Sequence, residues 1–151
     1  LEIPLETVME AIARVAGFVS VNLAPAAPVP DALLARADLI IVNETENAFY
    51  GAALARAPGL VAVTYGARGA ALFRAGVELA RAGSPKVTAL DTTGAGDAFC
   101  AALTLALARG EDHTQALGFA CAAGALAATR AGAQPSLPMR AEVEALLGAR
   151  E

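Results

Sequence analysis

The chain has 151 residues, of which 56% are hydrophobic and 17% charged, with a formal net charge of −4. That length supports one domain with a substantial core, and so apolar a composition excludes a disordered chain. Lys86 is the single lysine and the arginines are scattered, so there is no basic stripe for nucleic acid and a small-molecule partner is expected.

The longest apolar runs, Ala98 to Ala108 and Ala116 to Ala128, fall short of the roughly 20 residues that cross a bilayer and read as buried helices. No basic segment leads into an apolar stretch with a small-residue cleavage site, so a cytoplasmic protein with no membrane partner is expected. Cys100 and Cys121 form no CxxC pair and have no neighbouring histidine, which fits two free thiols in a cytosolic protein. The chain opens at Leu1, already at the start of a helical pattern, and is expected to be a fragment.

In chain order, Leu5 to Ala16 follows a proline, carries Glu6 in its first turn and sets Val8, Ile12, Val15 and Ala16 on one face, which predicts an amphipathic helix. Phe18 to Leu23 reads as a buried strand, and the prolines of Ala24 to Pro30 force a loop after it. A short helix over Asp31 to Arg36 precedes a second strand, Leu39 to Val42. Asn43 then begins one helix, NETENAFYGAALAR, with acidic residues in its first turn.

A third strand, Leu60 to Tyr65, gives way to the turn GARG (Gly66 to Gly69) and to a hairpin about Ala75 and Gly76. Lys86 to Leu90 reads as a short strand leading into DTTGAGDAF. Helices are predicted over Asp97 to Arg109, Thr114 to Thr129 and Arg140 to Leu147, with Gly110 and Gly132 as stops. Strands alternating with helices imply a parallel sheet covered on both faces, in one domain.

The stretch Asp91-Thr92-Thr93-Gly94-Ala95-Gly96-Asp97 carries the most chemical information. Small residues at 94 to 96 let backbone N–H groups converge, and the following helix adds partial positive charge, which makes an anion site. Asp97 is either the cap of that helix or, if it faces the anion, the base that takes a proton from an attacking hydroxyl. The run lacks the GK[ST] ending of a P-loop and the GxGxxG spacing of a dinucleotide fold.

This signature resembles that of the PfkB-type, or ribokinase-like, carbohydrate kinases. So do NLAP (Asn22 to Pro25), NETE (Asn43 to Glu46), TYGARG (Thr64 to Gly69) and GAQPS (Gly132 to Ser136), which occur in the order expected of the family's C-terminal half. The resemblance implies a three-layer α/β/α sandwich of which residues 1–151 form the C-terminal, mostly parallel, nucleotide-binding and catalytic part. The N-terminal sugar-binding and lid part would be absent, leaving this portion inefficient alone and a homodimer when complete. The implied reaction is transfer of the γ-phosphate of ATP to the primary hydroxyl of a sugar. D-ribose is favoured, with another sugar or nucleoside kinase, or a non-catalytic nucleotide-binding module, as alternatives.

The same resemblance gives residues their roles. Asp97 would be the catalytic base and contact the sugar, and the N–H groups of Gly94, Ala95, Gly96 and Asp97 would stabilise the transferring phosphoryl. Asn43 and Glu46 would organise Mg²⁺ and its waters. Asn22, Thr64, Gly66, Ala67, Arg68, Gly69 and Cys121 would line the ATP site. A K⁺ ion would take the Asp91 carboxylate, the carbonyls of Thr93, Ala127, Arg130 and Gly132, and the Ser136 hydroxyl.

Each residue also has a plainer reading. Glu46 complements a helix dipole, Asn22, Thr64, Gly66 and Gly69 serve turns at strand ends, and Arg68 is a solvated charge. Cys121 is a small core residue, Asp91 closes a turn and Gly132 ends a helix. His113, in polar GEDHT, reads as an exposed loop residue.

Overall fold

The computed structural model describes residues 3–148. Two compact units divide them. The first runs to Tyr65 and takes in Ala71–Leu79, and the second comprises Gly66–Ala70 and the chain from Ala80 onward.

In the first unit, α1 (Leu5–Arg14) is followed by β1 (Ser20–Asn22), α2 (Asp31–Arg36), β2 (Leu39–Asn43), α3 (Glu44–Tyr50), α4 (Ala52–Arg56) and β3 (Leu60–Thr64). Strands β1, β2 and β3 are parallel, with Ser20 beside Leu39 and Leu39 beside Leu60. Four successive residues of β2, Leu39 to Val42, are buried, so both faces of this strand are covered, as its unbroken apolar run requires. One face packs Val21, Ile40, Val42, Val61 and Val63 against Ile12 of α1, Leu33 and Leu34 of α2, and Leu54 of α4.

Next in the sheet come β4 (Ala70–Arg74) and β5 (Val77–Ala82), giving the order β1-β2-β3-β4-β5. Connections this short permit only antiparallel neighbours, so β4 runs against β3 and β5 against β4, which leaves β4 as the one strand of this sheet pointing opposite to the other four. The hairpin predicted at Ala75-Gly76 is present. Both residues have positive φ, 50° and 76°, matching the right-handed twist of the strands they join.

The second unit is dominated by α5 (Ala95–Ala108), α6 (His113–Ala127) and α7 (Arg140–Gly148). Gly124 lets α6 approach α5 closely, since a Cβ there would lie 3.1 Å from the Ala95 carbonyl oxygen. Val143 of α7 is buried with Ala122 and Ala123 of α6. No helix among the described residues is long and apolar enough to cross a membrane.

Several expectations need correction. The helix predicted from Asn43 through Arg56 is two, because Gly51 takes φ 49° between them. Helix α1 stops at Arg14, where Val15 turns extended. Lys86 to Leu90 is no strand, for its side chains are mostly exposed and the Leu90 N–H bonds to the Ala128 carbonyl, not to a neighbouring strand. His113 is the first residue of α6, capped by Asp112, whose carboxylate accepts from the Thr114 and Gln115 N–H groups. Gly132 lies five residues beyond the end of α6 in a separate turn, with φ 83°.

Candidate functional site

The carboxyl ends of the parallel strands carry the first group of predicted residues. Asn43 and Thr64 end β2 and β3 side by side, and Asn22 ends β1 beside Ile41, so all three lie along one edge. Open α/β sheets bind ligands outside this edge. The Thr64 hydroxyl turns back to donate to the Val42 carbonyl at 3.4 Å, whereas Asn22 is exposed.

Asn43 and Glu46 form a reciprocal cap on α3. The Glu46 N–H donates to Asn43 Oδ1 at 2.9 Å, and the Asn43 N–H donates to Glu46 Oε2 at 2.8 Å. Glu46 is only 5% exposed, rare for a carboxylate, and its Oε1 remains available beyond the cap.

In the second unit Gly66–Arg68 forms a single 3₁₀ turn whose three side-chain positions are exposed. Gly69 follows at φ 99°, and a Cβ there would sit 2.0 Å from the Ala82 carbonyl oxygen. Close passage of residues 82–84 therefore accounts for this glycine without any ligand. Gly66 also needs a positive φ, 57°, but faces open space.

Asp91 organises the glycine-rich turn. Its Oδ1 accepts from the Thr93 N–H at 2.9 Å and its Oδ2 from the Gly132 N–H at 2.8 Å, which joins residues 41 positions apart. These bonds, Gly132's first, pull its carboxyl from the ordinary 3.8 down to about 2. The Leu90 and Asp91 N–H groups both reach the Ala128 carbonyl. Gly94, at φ 80°, lies so near Ala133 that a Cβ would come within 3.1 Å of that residue's carbonyl oxygen.

Gly94 also caps α5, so the helix begins two residues earlier than predicted and Asp97 is its third residue, not its cap. A glycine has no side chain to satisfy the first helical donors. The Ala95 N–H bonds to the Thr92 carbonyl at 3.2 Å, which removes it from the predicted anion-binding set. Among the described residues the N–H groups of Gly96 and Asp97 find no acceptor, and Asp97 itself is exposed beside them.

Of the predicted cation ligands, Asp91 is tied directly to Thr93 and Gly132. The Ala127 carbonyl accepts from the Arg130 N–H at 3.2 Å, and the buried Ser136 hydroxyl donates to the Ala133 carbonyl at 2.7 Å, which leaves oxygen lone pairs on both. Among the described residues no three His, Cys, Asp or Glu side chains gather as a metal site. Cys121 is buried with its thiol toward the Ala82 carbonyl at 3.8 Å, and burial pushes the thiol up to about 11.

Sequence reasoning missed three supports of these groups. Tyr50 holds the loop after β1 by donating to the Ala27 carbonyl at 2.7 Å and accepting from its N–H. Asp112 caps α6, which an Asp two residues before Thr114 signals directly. Glu142 binds Arg130 and the Met139 N–H, and only the latter bond has a signature in the local spacing.

The fold has close counterparts among solved sugar kinases. The structure of ribokinase from Thermotoga maritima matches at TM-score 0.83 and 34% identity, over 97% of this chain and 54% of that one. Arabidopsis thaliana ribokinase complexed with ribose and ATP matches at TM-score 0.86 and 32% identity, over 97% and 53%. In sequence, the chain is 37% identical to the ribokinase of Bacillus subtilis (strain 168) across 97% of its length and 53% of the relative's. The family model of the pfkB family carbohydrate kinases matches residues 2–140. The chain belongs to that family, and it spans about half the length of the relatives it matches.

Proposed function

We propose that this chain is the nucleotide-binding and catalytic half of an ATP-dependent sugar kinase that phosphorylates the primary hydroxyl of D-ribose. The observation that carries the reading is the amino end of α5, where a glycine cap leaves the Gly96 and Asp97 N–H groups open next to an exposed carboxylate. Open first-turn donors attract phosphate through hydrogen bonds and the helix dipole. They also stabilise charge that builds on a phosphoryl group in transfer.

A carboxylate in that position repels phosphate, so its presence there argues for a role in the chemistry. Asp97 accepts the proton of the sugar hydroxyl as that oxygen attacks phosphorus, which leaves the hydroxyl's electron pair free to form the new bond. ATP supplies the phosphoryl group and leaves as ADP. Asn22 and Thr64, with Gly66, Ala67, Arg68 and Gly69, are assigned to the nucleotide. Glu46 retains an oxygen beyond its cap for magnesium's water shell, consistent with an ion that keeps most of its waters. Asp91, Ser136 and the carbonyls of Thr93, Ala127, Arg130 and Gly132 are hard oxygen donors suited to potassium. Likeness to the ribokinases supports ribose as the sugar.

The test is a phosphotransfer assay on the full-length protein with ribose, fructose and adenosine as competing acceptors. Ribose should give the highest kcat/KM, and Asp97→Asn should lower kcat by about 10²–10⁴ with ATP affinity nearly unchanged. Turnover near the wild type in Asp97→Asn removes that residue from the mechanism. A preference for fructose or adenosine replaces the substrate assignment alone.

A further inference from the structure

The turn from Asp91 to Asp97 has two hydrogen bonds of its own, from the Thr93 N–H to the Asp91 carboxylate and from the Ala95 N–H to the Thr92 carbonyl, and the rest of its support comes from outside it. It leans on residues 128–133, through the Leu90 and Asp91 N–H groups on the Ala128 carbonyl, the Gly132 N–H on Asp91, and the close approach of Gly94 to Ala133. The placement of the open Gly96 and Asp97 donors therefore depends on what fixes the segment between α6 and α7.

One carboxylate ties both ends of that segment. Glu142 Oε2 accepts from the Met139 N–H at 2.7 Å, and the Glu142 carboxylate also receives the Arg130 guanidinium through both terminal nitrogens. The Met139 bond alone is an ordinary helix-capping contact, made three residues from the helix start. The Arg130 contact, twelve residues back, serves no cap. It turns residues 130–139 into a closed loop. Each partner draws the other further into its charged form, Glu142 down and Arg130 up.

Helix α7 has anchors that do not involve Glu142. Val143 is 2% exposed among Ala122 and Ala123, and the Arg140 guanidinium lies 5.4 Å above the Phe119 ring. Loss of the Arg130 link thus frees the loop without freeing the helix.

We propose that Glu142 is a positioning residue for the Asp91–Asp97 turn, closing the 130–139 loop so that Ala128 and Gly132 hold that turn in its phosphate-binding shape. The proposal rests on reading the α5 amino end as the phosphate site. An exposed ion pair adds little to global stability, so the effect belongs to local order.

The experiment is amide hydrogen exchange on the whole chain, followed residue by residue by NMR, together with calorimetric titration of ADP. Glu142→Gln keeps an acceptor for Met139 and removes the charge facing Arg130. Arg130→Gln cuts the same link from the other side and serves if the first variant folds poorly. Glu144→Gln, which breaks only the exposed Arg140 pair on the same helix, is the control. The Leu90 and Gly132 amides should exchange about three- to tenfold faster in both link variants, with α6 amides unchanged and the control like wild type. ADP affinity should fall by a similar factor. The double variant should be no worse than either single one, because both break one link. Unchanged Leu90 and Gly132 exchange in the link variants overturns the proposal. Faster exchange with unaltered ADP affinity leaves Glu142 positioning the turn and removes phosphate from it.

Discussion

Asp91 carries two readings in the sequence, a turn closure and a cation ligand, and the geometry supplies the bond that the first requires. An Asp two residues before a Thr reads as the closure of a turn, and the Thr93 bond is that closure. The bond to Gly132 has no local signal, because it spans 41 residues. Its consequence is measurable. A carboxyl depressed from 3.8 to about 2 contributes stability that is present above the unfolded value and disappears as pH falls through the folded one. Urea unfolding from pH 5 to pH 1.5 should therefore show a loss between about pH 4 and pH 2 that Asp91→Asn lacks. Parallel acid limbs in the two proteins contradict this. Glu46, at a helix end, likewise has a structural reading and a functional one. Glu46→Gln keeps an oxygen for the Asn43 N–H and should cost about 1 kcal/mol or less in stability. A magnesium role would show separately, as weaker magnesium dependence of nucleotide binding at equal stability.

At the scale of elements, strongly patterned segments were legible and boundaries that depend on distant backbone were not. The apolar run of β2, the acidic start of α3 and the proline-rich loop after β1 carry their own causes. The break at Gly51 does not, since a lone glycine is tolerated in a helix and only φ 49° reveals the interruption. Lys86 to Leu90 is not a strand because a short local pattern carries no information about whether a partner strand exists. The start of α5 was misplaced for a related reason: Asp97 is a better cap by propensity than Gly94, yet contact with Ala133 selects the glycine. Gly69 gives the sharpest test at this scale. Its φ of 99° and the 2.0 Å approach of Ala82 oxygen leave no room for a methyl group. Gly69→Ala should lower unfolding free energy by at least about 2 kcal/mol, whereas Gly66→Ala, strained but uncrowded, should cost roughly 1 kcal/mol. Equal losses by denaturant titration would mean that backbone conformation, not crowding, governs both sites.

For the whole molecule, the governing fact is that 151 residues match about half the length of their relatives. The residues assigned to nucleotide, phosphate and cation are present, while the family resemblance assigns most sugar contacts to the other half. Nucleotide should therefore stabilise this chain, and ribose alone should not. A ligand that binds only the folded state at about 100 times its Kd adds roughly 2.7 kcal/mol. For a protein of this size each kcal/mol raises Tm by about 2–4 °C, so a non-hydrolysable ATP analogue with magnesium should raise it by roughly 5–10 °C. If potassium sits beside Asp91, it stiffens the turn that presents Gly96 and Asp97, and its effect is to reduce the ordering that phosphate must otherwise impose. The shift should then be larger in potassium than in sodium at equal ionic strength, and Asp91→Ala should erase the difference while retaining part of the shift. Scanning calorimetry of the wild type and Asp91→Ala in both salts, with analogue, with ribose and with neither, separates these effects. A shift with ribose alone would place sugar contacts within this chain. No shift with nucleotide would remove the phosphate assignment, and a potassium preference that survives Asp91→Ala would move the ion to other oxygens.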